Sequence, residues 1–363
     1  GVAYQARQLG LAFNAVLGVI MSLFLSLGAG TILSGVGVAD ALMQPAKTYL
    51  QIVGGFCILN ALIPICSSYL RAFGFSKEPL YASIIGNVIN FCLNAFFLFV
   101  LHKGVAGVAT ATVISRIINL VIVVLLGAVL VKAKQHPERE SNRAVMGQII
   151  RIGLPSACET AIYNVSMTLV IRFLNQMDAQ GLNVTARSYT MQITNFSYCV
   201  GAALAQANAI MTGWHIGAKE YDACDRGTKK AAVIGVIVAV ILETVFTLCS
   251  GWIMQLFSKD PQMVSLVGKL LAIDIVLEIG RVTNLVYGQA LKTSGDAVFP
   301  VVMGACFMIL CSVGGTYLFG IRLGLLAVGA YIGMTGDECV RAVGMYLRWK
   351  SGKWKEKGLV KSR

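Results

Sequence analysis

The chain has 363 residues, of which 56% are hydrophobic and only 13% charged, with a formal net charge of +13. Soluble chains average about 25% charged residues, so this composition excludes an ordinary soluble domain. No HExxH, no GxSxG and no clustered Cys and His occur, which excludes the common intramembrane hydrolase and zinc chemistries.

Ten apolar runs are each long enough to cross a bilayer core of about 30 Å. They fall at 9–33, 48–70, 80–101, 105–131, 148–174, 184–211, 231–257, 262–291, 297–320 and 323–347. Lipid cannot satisfy unpaired backbone groups, so runs of this length predict helices. Most of the 30 Lys and Arg fall on the side of the N-terminus, among them Arg71, Lys77, Lys132, Arg143, Lys229, Lys230 and the C-terminal run. The positive-inside rule then predicts cytoplasmic termini. The basic balance reads as a topology signal and a lipid-facing patch, with no nucleic acid as partner. The three His sit in loops at 102, 136 and 215, and the ten Cys lie mostly within spans as small apolar residues.

Each buried polar group needs a reason, because a charge near the bilayer centre costs about 2.5–3.5 kcal/mol on insertion scales. In chain order, Asn60 lies in the second span, and Asn87, Asn90 and Asn94 share one face of the third. Arg116 lies in the fourth. A charged stretch, KAKQHPERESNRAVM (132–146), reads as a linker. Glu159 follows Pro155 by four residues in the fifth span, about 14 Å deep at 1.5 Å per residue. A proline there loosens the helix and frees a carbonyl. Glu159 is therefore expected to bind a coupling cation, with Asp274 and Glu278 as further candidates. Arg187 and Tyr189, in the sixth span, are expected to face a substrate, as are Asn60 and Asn90. Glu243, alone in the seventh span, is expected at a helix contact. In the eighth span Asp274, Glu278 and Arg281 fall within about 60° of one another on a helix. Arg281 is expected to pair with Glu278 or Glu159. In the last span Arg341 is spaced to clasp Asp337 and Glu338, and Arg116 stands at the repeat position of Asp337. These charges are expected to form one ion-pair network. No metal or cofactor site is expected.

YLRAFGFSKEP (69–79) and ALKTSGDAVFP (290–300) match at an offset of about 221 residues, and GVAGVA (104–109) faces GLLAVG (324–329) at nearly the same offset. The repeat predicts an all-α polytopic membrane protein with two lobes built from a parallel six-helix unit. The expected division is 1–132 for the first lobe, 133–147 for a cytoplasmic linker, 148–348 for the second lobe and 349–363 for a basic tail. About ten of twelve helices are expected in this chain, with about 70 residues holding two more before Gly1.

Several stretches, in order, resemble the multidrug and toxic compound extrusion family. They are GVAGVATATVISR, RIGLPSACE, IGAKEYDACDRGTKKA, LEIGRVTN followed by LKTSGDAVFP, and DECVRAVGMYLRWKSGKW. The resemblance implies a monomeric antiporter in the plasma (inner) membrane. It would export cationic or amphipathic small molecules in exchange for H⁺ or Na⁺ by rocking two lobes. It implies a coupling acid at Glu159. Arg281 stands where some members carry an Asp, which departs from their sodium site. The alternatives are a lipid-linked oligosaccharide flippase or a non-transporting membrane fragment.

Overall fold

The computed structural model describes residues 2–36, 40–131, 141–177 and 181–356. Part of the expected linker, with Lys132 and His136, and the end of the basic tail lie outside the described residues. Helices account for nearly all of the rest, and no strand occurs among the described residues. The chain divides into two compact units, Gly1–Ile149 and Ile150–Arg363.

The first unit contains α1 (Val2–Leu27), α2 (Ala29–Val36), α3 (Asp40–Gly55), α4 (Ile58–Ala72), α5 (Lys77–Ala95) and α6 (Gly104–Leu130). α1 packs on α3 and α4, and α6 packs on α3, α4 and α5. Cys66, Leu70, Ala82 and Val123 form its buried cluster. α3 and α4 make one span bent by 41°. The break falls at Phe56–Cys57, directly after Gly54 and Gly55, where backbone entropy disfavours a continuous helix. Ser22 on α1 caps the break, its hydroxyl accepting the Ile58 N–H at 3.1 Å.

The second unit contains α7 (Asn142–Met177, whose first turns belong to the first unit), α8 (Leu182–Gly217), α9 (Tyr221–Leu248), α10 (Ser250–Met254), α11 (Pro261–Thr293), α12 (Val298–Phe307) and α13 (Leu326–Lys350). Asp260 starts α11 by accepting the Gln262 N–H at 3.0 Å, with Pro261 at the first helical position. π-helical turns at Met308–Val313 and Thr316–Arg322 continue α12. α11 is the axis of this unit, packed against α8, α9 and α13.

The expected repeat runs through the whole secondary structure. α1 ends at Leu27 and α9 at Leu248; α2 begins at Ala29 and α10 at Ser250; the π turn Phe96–Val100 answers Thr316–Arg322. α11 answers α3 and α4 together but runs unbroken. Among the described residues, five helical stretches are long and apolar enough to cross a membrane, or six where the bent α3–α4 pair counts as one span. The other expected spans are α7, α8, α11 and α13. All are long enough, but they carry the polar side chains, and in α11 most of these are turned onto neighbouring helices.

Candidate functional site in the second unit

The 3.6-residue helical period sets Asp274, Glu278 and Arg281 in one stripe of α11. That stripe faces α9, α8 and α13 instead of lipid. Asp274 is 2% exposed and Glu278 0%. Across from them on α9, Glu243 is also 0% exposed, and neither of its carboxylate oxygens has a hydrogen-bond partner among the described residues. One oxygen from each of Glu243, Asp274 and Glu278 lies within 4.8 Å of the other two. Ser197 on α8, fully buried, places its hydroxyl beside the Glu243 carboxylate.

Among the described residues, one of these three acids meets a cation within 4.0 Å. Arg281 donates to Glu278 and also lies 3.8 Å from Glu338 on α13. Glu338 accepts from Asn284 at 3.0 Å and from Arg341 at 2.9 Å. Arg341 in turn holds Asp337 with two bonds of 2.8 and 3.0 Å, and Ser312 donates to Asp337 at 2.9 Å. The stripe on α11 and the clasp on α13 thus join through Glu338.

A cavity of about 680 Å³ opens beside this cluster. Its wall carries four acids, Glu159, Asp274, Asp337 and Glu338, and four bases, Arg187, Arg281, Lys292 and Arg341. Methionines and aromatics, among them Met167, Met191, Tyr163 and Tyr198, supply a deformable apolar surface.

Several expectations change. Arg281 does not pair with Glu159. Glu159 is held instead by Lys292, at 2.6 Å. Lys292 reads in the sequence as a loop residue, yet α11 continues to Thr293 and carries it to the cavity wall. The spare carboxylates are therefore deeper, on α9 and α11. Glu243, expected at a plain helix contact, is fully buried beside Ser197 and forms no ion pair within 4.0 Å among the described residues. Its signal was a single acid in the apolar run AAVIGVIVAVILETVFTL. Arg116 is half-buried on α6 of the first unit and joins no ion pair among the described residues. Tyr189 does not line the cavity; its ring packs on Phe257 at 5.3 Å, in the apolar core. Asn60 and Asn90 belong to the first unit. There Asn90 donates to Ser115 at 3.3 Å and accepts from Asn94 at 3.0 Å.

Long apolar helices around a charged, cavity-lined core define a multi-pass membrane transporter. The MatE family model matches residues 2–96 and 155–318, one segment in each half of the repeat. The chain belongs to this family, whose members extrude drugs and toxins. It is 32% identical over 364 residues to the "Uncharacterized transporter YisQ" of Bacillus subtilis, covering 99% of this chain and 80% of that protein. To the "Probable multidrug resistance protein NorM" of Thermotoga maritima it is 22% identical over 362 residues, covering 93% and 76%. Among solved structures, one described as MATE in the straight conformation superposes with a TM-score of 0.85 at 19% identity, covering 98% of this chain and 83% of that one.

Proposed function

We propose that this transporter is a secondary active antiporter that exports cationic or amphipathic small molecules from the cytoplasm in exchange for an inward cation, H⁺ or Na⁺. The observation that carries the reading is the triad Glu243, Asp274 and Glu278. Three carboxylates within 4.8 Å of one another repel strongly in a medium of low dielectric, by several kcal/mol per pair at an effective dielectric of about 20. Arg281 supplies one positive charge. The two remaining negative charges call for protons or for a hard cation such as Na⁺ together with a proton, carboxylate oxygens being suitable ligands for such a cation. The triad spans α9 and α11, so its loading biases how those helices pack, and alternation needs such differential affinity between two states. The two repeat units would rock to expose the sites to either side in turn.

The basic surplus on the N-terminal side supports cytoplasmic termini in a plasma-membrane protein, which we read as a monomer. Three of the four cavity cations are matched by carboxylates within 4.0 Å, which suits a drug-like substrate better than the pyrophosphate of a flippase substrate. The test is dye export from proteoliposomes under an imposed proton gradient or sodium gradient, applied separately. Export driven by one of them is expected. Equal rates with and without both gradients would remove the antiporter reading.

A further inference from the structure

The four cationic side chains on the cavity wall are not equivalent. Lys292, Arg281 and Arg341 each meet a carboxylate. Arg187 does not. It is 6% exposed, no carboxylate lies within 4.0 Å of it among the described residues, and its Nε has no partner there. Its guanidinium makes one weak contact, from Nη2 to the Met167 sulfur at 3.6 Å.

This arrangement is costly unless something else completes it. A guanidinium stays charged at any working pH, so Arg187 cannot escape burial by losing its proton. A thioether is a weak acceptor and leaves the other donors of the planar fork open. The side chain leaves the second turn of α8 and reaches the cavity wall beside Met167 and Met191. Tyr331, itself buried, lies within electrostatic reach of both Arg187 and Asp274. A phenol there can donate to the same anion that Arg187 binds. Asp274 lines the same cavity, its Oδ2 without a hydrogen-bond partner among the described residues. The cavity wall therefore offers both an unmatched cation at Arg187 and an acid at Asp274.

We propose that Arg187 is the anchor for an oxyanion of the transported molecule, a carboxylate in the first instance, so that the cavity takes zwitterionic amphipaths whose cationic part lies toward Asp274. The inference rests on the exporter reading above and adds the polarity of its substrate. A planar carboxylate fits the guanidinium fork with two parallel bonds, and methionine walls accommodate an apolar body of variable shape.

The experiment uses the purified chain in nanodiscs of phosphatidylcholine, with a rhodamine bearing a free carboxylate and the ethyl ester of the same dye. Affinities are read by fluorescence anisotropy for wild type, Arg187→Gln and Arg187→Lys. The wild type is expected to bind the acid about tenfold more tightly than the ester, the scale of one charge-assisted bidentate contact. That ratio should fall to near one in Arg187→Gln and lie between in Arg187→Lys. Lysine keeps the charge without the fork, which keeps the test open if Arg187→Gln fails to fold. A wild-type ratio near one, or a ratio unmoved by both substitutions, would overturn the assignment while leaving the exporter reading intact. A preference abolished by phosphatidylglycerol in the nanodisc would give the site to a lipid headgroup and also overturn it. Wild type that binds neither dye would count against the exporter reading itself.

Discussion

Removing the charge of Lys292 leaves Glu159 half-buried without its counter-ion, and restoring balance with a second substitution should recover what the first loses. Breaking such a pair from one side costs up to about 3–5 kcal/mol when fully buried; here both side chains are 17–18% exposed, so a smaller loss, on the order of 1–2 kcal/mol, is expected. A double-mutant cycle of Lys292→Gln and Glu159→Gln, read as thermal midpoints in detergent, measures it. Additive losses would mean that the two side chains do not interact. Asp274, Glu278 and Arg281 were legible in the sequence because helical spacing puts them on one face. The partners were not. Whether Arg281 meets Glu278, Glu338 or Glu159 depends on which helix packs beside α11, and no local pattern encodes that. Lys292 was hidden for a related reason: a charge at the end of an apolar run looks the same whether the helix stops before it or carries it inward.

At the scale of elements, α11 and α13 approach each other closely. A Cβ on Gly280 would sit 2.8 Å from the Cys339 nitrogen and 2.9 Å from the Glu338 carbonyl carbon. Both are backbone atoms, so neither can turn away. Gly280→Ala should force the helices apart and cost about 1–3 kcal/mol. Because Glu338 sits at that crossing, the pair with Arg281 would loosen as well. The check is the melting temperature by fluorescence-detected size exclusion; an unchanged midpoint would contradict the crossing. The repeat also gives two versions of one element. In the first unit Ser22 caps a broken span at Ile58. At the matching place in the second unit, α11 is continuous and the residue on the partner helix is Glu243. Replacing Ser22 by Ala should cost about 1 kcal/mol, the net worth of one hydrogen bond, and a thermal shift on that scale is the readout. The spans themselves were readable from hydropathy to within a few residues at most ends. The bend at Phe56–Cys57 and the π turns were not, since they change hydrogen-bond register without changing the apolar pattern.

For the whole molecule, composition and the internal repeat are enough to specify a polytopic helical membrane protein with two lobes, and the transporter reading comes from the resemblance, with which the family match agrees. What they do not specify is where charge remains unbalanced after the helices pack, and that residue of charge is the basis of the proposed coupling. Trp349 and Trp354, stacked at 4.1 Å, pack at the C-terminal end of α13, with Trp349 donating to Asp225 on α9 at 2.9 Å. The Trp349 emission should therefore shift to the red in Trp354→Ala, as its buried ring meets water; an unshifted spectrum would place the stack elsewhere. The coupling claim is tested most directly by comparing two fluxes in the same proteoliposomes, substrate accumulated against its gradient under an imposed cation gradient, and passive substrate exchange with no gradient. The ratio of the first to the second should be well above one in wild type and should collapse toward one in Glu243→Gln. A ratio in Glu243→Gln equal to that of wild type would contradict the account and remove the triad from the coupling step.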